Sequence, residues 1–356
     1  MKILIDIGHP AHVHYFKNFI KMMEEKGHLI IVTARNKEVT IDLLKKLKIK
    51  YFERGKGAKS IIGKLFYVII ADLILLKVSL KYKPDIFLSF GSPYPGHIAK
   101  LFRKHHIAFT DTEHAKLAIM SIVPFSNIIQ TPYCYFKDLG EKQIKFNSFM
   151  ELCALNPKYF KPDIEILNLI GINKSERLIF LRFVSWNANH DIGQSGLSIE
   201  SKLLLVKELS KLGRILISSE GNLPKELQKY QISISPDKIH DLLYFTDLYI
   251  GEGATMASEC AMLGTPAIYV NSLDAGTLQE QEKLGLIYQF RNSEGVLEKA
   301  ITLLNNPNLK EQTQDLCEIM IKNKIDLNTY MVWFFENYPK SVQIMKDNPD
   351  YQFNFI

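Results

Sequence analysis

Residues 250–267 read Ile-Gly-Glu-Gly-Ala-Thr-Met-Ala-Ser-Glu-Cys-Ala-Met-Leu-Gly-Thr-Pro-Ala. An apolar run ends at Ile250, and a turn of small residues leads into a helix with Thr255 in its first turn. Leu-Gly-Thr-Pro then closes the helix before another apolar run. Strand, turn, helix and strand in this order form the unit of a parallel α/β sheet. Small residues at Gly253 and Ala254 let the backbone approach a ligand. The helix start aims unpaired N–H groups and the positive end of its dipole at anionic oxygens, so the turn reads as a phosphate cradle. Glu259 lies one turn further on, where a carboxylate can accept two hydrogen bonds from a vicinal diol such as a ribose.

Outward from this unit, the same alternation runs through the chain. Apolar runs at Lys2–Ile7, 29–33, 85–90, 107–110 and 128–130 alternate with helical periodicity at 12–26, 38–47, 61–81 and 96–104. After a Pro-containing connection at 147–163 the pattern restarts. Strands are expected at Leu178–Phe183, 215–218, 232–235, 248–250 and Ala267–Val270, with helices at 198–211, 223–229 and 254–263. Helices at 293–305, 308–323 and 327–346 finish the chain. The expected architecture is α/β, with two Rossmann-like, doubly wound domains facing a cleft. The domains are placed at 1–160 and 161–325, with a C-terminal helix and tail at 326–356 packing back toward the first.

The 356 residues carry a net charge of +6, unevenly distributed. Residues 1–150 hold 24 Lys and Arg against 12 Asp and Glu, a net of +12, whereas the remainder nets −6. The basic half points to an anionic partner there, such as a membrane surface or a phosphorylated substrate; nucleic acid is not expected. Cys134, Cys153, Cys260 and Cys317 show no metal or disulfide spacing. With no signal sequence at MKILIDIGHP, the expected location is cytoplasmic. The apolar stretch 61–80 is interrupted by Lys64, Asp72 and Lys77, so an interfacial or buried helix is expected and not a span.

Strand-to-helix loops carry the chemistry in such sheets. The first is Gly8-His9-Pro10-Ala11-His12-Val13-His14, where Gly8 permits a tight turn and three imidazoles cluster. Imidazole suits proton transfer near neutral pH, so His12 is read as a general base, with His9 as the alternative and His14 nearby. The loop has no carboxylate or thiolate to complete a metal site. Ser92 and His97 flank a turn after 85–90, and Asp111, Thr112, Glu113 and His114 follow 107–110, where acid–base or sugar-hydroxyl contacts are expected. In the second half, Arg182 is a phosphate partner by chemistry. Ser185, Asn187 and His190 are polar groups of the loop behind it.

Taken together, GHPAHVH, FTDTEHA, RFVSWNANHDIG and GEGATMASECAMLGTPA resemble the domain-of-unknown-function 354 family. That family is grouped with GT-B glycosyltransferases and the non-hydrolysing UDP-N-acetylglucosamine 2-epimerases. The resemblance implies that Thr255, Met256 and Ala257 face a diphosphate through backbone N–H groups, and that Glu259 holds the ribose. It also implies that Ile239 and His240 contact the base, and that Glu113 matches a catalytic carboxylate. Two departures count against epimerisation: the Gly-Asp-Thr run of epimerases is Gly91-Ser92-Pro93 here, and their His-Arg-Arg-Glu-Asn run is Ser-Trp-Asn-Ala-Asn-His-Asp. The expected activity is metal-independent transfer from a nucleotide-diphosphate sugar to a glycan or polyprenyl-phosphate-linked acceptor. No cofactor is implied beyond that donor. The alternatives are a nucleotide-sugar epimerase or hydrolase and a non-catalytic nucleotide-sugar-binding protein. On this reading helix 61–81 rests on anionic lipid, making the protein peripheral at the inner face of the membrane.

Overall fold

The computed structural model describes residues 1–58, 60–184 and 196–356. The chain divides into two units, Met1–Ala154 with Lys324–Ile356, and Leu155–Asn323. The first holds β1 (Lys2–Ile7), β2 (Leu29–Ala34), β3 (Tyr51–Glu53), β4 (Ile86–Phe90), β5 (His105–Phe109), β6 (Ile128–Pro132) and β7 (Gln143–Phe146). They form one parallel sheet in the order β3-β2-β1-β4-β5-β6-β7. The second unit holds β8 (Leu178–Phe183), β9 (Arg214–Ser219), β10 (Leu248–Gly251), β11 (Ala267–Val270) and β12 (Ile287–Phe290). Its parallel order is β9-β8-β10-β11-β12. Each sheet reverses its direction of growth once, between β1 and β4 in the first unit and between β8 and β10 in the second. Ligands of open α/β sheets bind in the crevice that such a reversal opens beyond the strand C-termini.

The central strands read as unbroken apolar runs because both their faces are covered. Ile3, Ile5 and Ile7 of β1 pack on Val13, Phe16, Phe19, Ile20 and Met23 of helix Pro10–Glu25, over which helix Leu327–Glu336 also lies. Leu4 faces the other way, onto Leu75, Val78, Phe87 and Ile98. Residues after Lys324 thus complete the core of the first unit, with the Phe335 ring tilted against Phe19 at 5.2 Å between centroids and the Tyr330 hydroxyl donating to Gln130 Oε1 at 3.2 Å.

The structure departs from the periodicity in instructive places. Strands β3, β7 and β12 lie at sheet edges and were not expected; they are short and half-buried, so no apolar run marks them. Residues 232–235, expected as a strand, make no ladder; one bridge joins Gln231 to Ile217. The expected helix at 327–346 is two, Leu327–Glu336 and Lys340–Asp347, interrupted at Pro339, whose ring nitrogen has no hydrogen to donate. Helix Gly276–Lys283 was also unexpected.

A polar knot fills the reversal of the first sheet. Asp6, wholly buried on β1, accepts from Thr33 Oγ1 (2.8 Å), Arg54 Nε (2.8 Å), Arg54 Nη2 (3.1 Å) and Ser92 Oγ (2.6 Å). The buried Arg54 guanidinium lies over the rings of Tyr94 and Tyr67, 4.9 and 5.7 Å from their centroids. Ser92, expected to contact a substrate, thus turns its hydroxyl inward onto Asp6. Below it, Ser89 Oγ bonds Ser92 O and His106 Nε2, and burial lowers the pKa of His106 to about 3.

Removing one member of a buried ion pair strands the other charge, so Asp6→Asn is expected to cost about 3–5 kcal/mol in urea unfolding. The double variant Asp6→Leu, Arg54→Met is expected to lose less than the two single variants combined.

Candidate functional site

In the second unit the reversal lies at the ends of β8 and β10. β10 closes with Gly251, and a Cβ built there would lie 2.2 Å from the Tyr249 hydroxyl, so no larger residue fits. The hydroxyl is buried against this backbone and finds no hydrogen-bond partner among the described residues. Burial first, then Cys260, raises the Tyr249 pKa well above that of an ordinary phenol. Helix Ala254–Met262 begins directly after Gly253, with no side chain capping its N-terminus. Ala257 N–H, expected to face a ligand, donates instead to Gly253 O at 3.2 Å. The available N–H groups are shifted one residue back, to Ala254, Thr255 and Met256, which are part-exposed.

Glu259, on the buried side of this helix, lies with Oε1 3.1 Å from Nε2 of the buried His240. The structure thus unites two residues that sequence placed on separate parts of a nucleotide. Ile239 opens the short helix Ile239–Phe245 that carries His240. Arg182 Nη1 donates to Ser218 Oγ and Nη2 to Glu220 Oε1, both at 2.7 Å, which aligns the guanidinium along the ends of β8 and β9. Glu252 was missed. Its carboxylate accepts from Val184 N (3.1 Å) and Leu197 N (2.8 Å) and lies 3.3 Å from Lys202 Nζ. Val184 and Leu197 are thereby tied to the turn. Ser185, Asn187 and His190 lie outside the described residues.

Lys310, also unanticipated, supports the far end of the same helix. Its Nζ donates to Thr246 O (2.8 Å) and Thr265 Oγ1 (2.6 Å), and burial lowers its pKa to about 8.

In the first unit, helix Pro10–Glu25 starts behind the β1 loop with His9 as its N-cap, Nδ1 accepting from Ala11 N at 3.2 Å. Gly8 N–H donates to His12 Nδ1 at 3.2 Å. The turn does not depend on glycine freedom: Gly8 is absent from the left-handed positions, and a Cβ there would meet Arg54 Nη2 at an ordinary 3.5 Å. Burial, helped by His9, Lys37 and Arg54, holds the His12 pKa well below 6.5. Burial and Lys37 lower that of His9 to about 4. A neutral His12 whose Nδ1 accepts from the backbone carries its hydrogen on Nε2. It therefore presents a donor, where the general-base reading needed an acceptor. His14 is buried on the same helix.

Two strands away, about 10 Å at sheet spacing, the loop after β5 carries the carboxylates. Glu113 is wholly buried, with Oε1 accepting from Phe136 N at 3.4 Å and its carbonyl bonded by Lys137 Nζ. Asp111 is part-exposed, accepts from Thr112 Oγ1 at 2.8 Å, and has its pKa raised to about 6 by burial. Asp111 is thus the carboxylate of this loop that stays part-exposed. The buried Tyr135 hydroxyl, a further group that sequence did not indicate, lacks a hydrogen-bond partner among the described residues. Burial and then Glu113 and Asp111 push its pKa up. His114 follows in the same loop. His97 Nδ1 lies 3.0 Å from Asp72, away from this edge. Among the described residues no group of three or more His, Cys, Asp or Glu is placed to hold a metal ion.

A family model described as a protein of unknown function (DUF354) matches residues 1–328. An uncharacterized protein of Methanocaldococcus jannaschii is 26% identical over 287 residues, covering 75% of this chain and 81% of its own. Among solved structures, the UDP-GlcNAc 2-epimerase of Neisseria meningitidis bound to UDP-GlcNAc superposes with a TM-score of 0.61 at 13% identity, covering 91% of this chain and 99% of its own. The SsfS6 glycosyltransferase of Streptomyces sp. SF2575 gives 0.59 at 12%, covering 95% and 100%. The α/β fold is thus that of GT-B glycosyltransferases and UDP-GlcNAc 2-epimerases.

Neutral imidazoles make a pH prediction. Both pKa values are lower in the folded chain, so the unfolded chain binds more protons below pH 6.5. Their stability contribution is expected to fall as pH drops from 6.5 toward 4, and NMR should show His9 titrating near 4 and His12 uncharged throughout that range. For Lys310 the sign is the same and the window is higher, because its pKa too is lowered in the folded chain. Stability relative to Lys310→Met is expected to rise from pH 8 to about 10, measured by denaturant unfolding.

Proposed function

The chain belongs to that family of unknown function, DUF354, and we propose that it is a glycosyltransferase using a nucleotide-diphosphate sugar. The observation that carries this reading is the contrast between its two sheet reversals. One presents a helix N-terminus with no side-chain cap directly after Gly253, an arrangement suited to a diphosphate. The other presents a carboxylate with a pKa near 6 and a neutral imidazole donor, a pair suited to a hydroxyl acceptor.

In this mechanism the N–H groups of Ala254, Thr255 and Met256 hold the diphosphate, and Glu259 with His240 holds the nucleoside. The acceptor hydroxyl oxygen attacks the anomeric carbon of the sugar. Its proton passes to the Asp111 carboxylate while the bond from that carbon to the diphosphate oxygen breaks. The helix dipole and N–H groups stabilise the charge that the departing nucleoside diphosphate gains. His12 Nε2–H orients an oxygen of the acceptor. The acceptor class is a glycan or a lipid-linked glycan, and the reading needs no cofactor or metal ion beyond the donor. The epimerase bound to UDP-GlcNAc makes UDP-sugars the first donors to try.

Transfer of radiolabelled sugar from a donor panel tests the proposal. Asp111→Asn is expected to lower kcat about 10²–10⁴-fold with donor KM little changed. Glu259→Ala is expected chiefly to raise donor KM. Wild-type kcat in Asp111→Asn removes the base assignment. Conversion of UDP-GlcNAc without an acceptor makes the protein an epimerase or hydrolase, and binding without turnover makes it a non-catalytic receptor.

A further inference from the structure

The chain crosses from β3 to β4, β5 and β6 in one direction, so right-handed connections place helices Ile61–Tyr82, Tyr94–Leu101 and Lys116–Ile122 on one face of the first sheet. The first of these is largely apolar, interrupted by Lys64, Asp72, Lys77 and Lys81. Tyr67, Ala71, Leu75 and Val78 face inward and are buried. On the outward side Ile62 (69% exposed), Leu65 (65%), Phe66 (64%), Ile69, Ile70 and Leu73 form a stripe at helical spacing. A helix of this kind belongs in a protein interior or against lipid, and a stripe of six large side chains exceeds ordinary surface scatter. Among the described residues no helix is long and apolar enough to cross a membrane.

The charges around the stripe are mostly positive, with the exposed Asp85 lying 3.9 Å from Lys104 Nζ. Lys77, Lys81, Lys83, Lys100, Arg103 and Lys104 are exposed at the C-terminal ends of the two longer helices. Lys100, Arg103 and Lys104 line, with Lys142 and Phe125, an open cavity of about 420 Å³. Asp72 is the only acidic residue on the three helices, and its carboxylate is taken by His97 at 3.0 Å. A two-fold contact with a second copy would set these cations against themselves. An anionic surface with an apolar interior complements both features.

We propose that this helical layer docks on an anionic lipid bilayer, with the stripe entering the acyl boundary and the basic cavity taking lipid phosphates. The inference does not rest on glycosyl transfer. Docking would set the first-unit loop at the lipid boundary, since Tyr67 on the stripe's helix accepts from Arg54 beneath Gly8.

Vesicle flotation tests it without any assay of activity. The wild-type chain is expected to float with phosphatidylcholine–phosphatidylglycerol vesicles at low salt and to be released by high salt. Leu65→Ser, Phe66→Ser, Ile69→Ser together, and Lys100→Glu, Arg103→Glu, Lys104→Glu together, are each expected to weaken binding about tenfold or more. Thermal melts first establish that both variants fold. No flotation by wild type, or flotation unchanged in the serine variant, overturns the proposal. So does a wild-type dimer in light scattering that the serine variant dissolves, with no flotation, because a second copy then covers the stripe.

Discussion

The ion pair of Asp6 with Arg54 organises the first unit. Strand ends that diverge at a sheet reversal leave polar groups and space between them, and this sheet closes the space with one carboxylate. Asp6 gathers β1, β2 through Thr33, the chain after β3 through Arg54, and the turn after β4 through Ser92. A charge pair this deep repays its desolvation only if every lone pair is used. Four donors on two oxygens meet that condition. The rings of Tyr67 and Tyr94 then cover the guanidinium, which supports Gly8 from beneath.

A fixed positive charge under the first loop has an electrical consequence at the surface. Arg54, with Lys37, adds to burial in disfavouring a proton on His12, while Asp111 two strands away feels burial without a nearby cation among its causes. One edge of one sheet thus pulls a base and an acid in opposite directions: imidazole stays neutral and the carboxyl approaches neutrality. Separation of this kind lets one site hold a hydrogen-bond donor and a proton acceptor together at the same pH. The two carboxylates of FTDTEHA differ in exposure. Asp111 stays part-exposed, whereas Glu113, at the start of the turn that follows, goes into the core.

Most of the strands were legible because central ones such as KILIDI and DIFLSF are buried on both faces and are apolar but for a few residues such as Asp6 and Ser89. Edge strands escape that rule, which is why YFE, QIKF and IYQF did not stand out. The turn around Gly253 was legible as a shape, but the N–H groups it offers depend on where the helix begins, and one residue changes Ala257 from donor to member of the ladder. Arg54 was invisible for a different reason. It lies 48 positions from Asp6, and no local pattern announces a partner brought near by the fold. Ser92 shows the converse: a hydroxyl at a strand end reads as a ligand contact until its partner is known.

Glu252 poses the sharpest difficulty for an anion site, since it places a carboxylate between the two glycines of the turn. Left facing the ligand, it would repel any phosphate that the helix attracts. The fold turns it the other way, into a wholly buried position where two backbone N–H groups and Lys202 neutralise it. Its own carbonyl is held by Asn271 Nδ2 at 3.0 Å, which fixes the peptide plane leading to Gly253. The residue therefore serves the site by being removed from it. Its charge is matched inside the protein, the turn cannot rotate, and the first N–H groups of the helix keep the outward direction that an anionic oxygen requires.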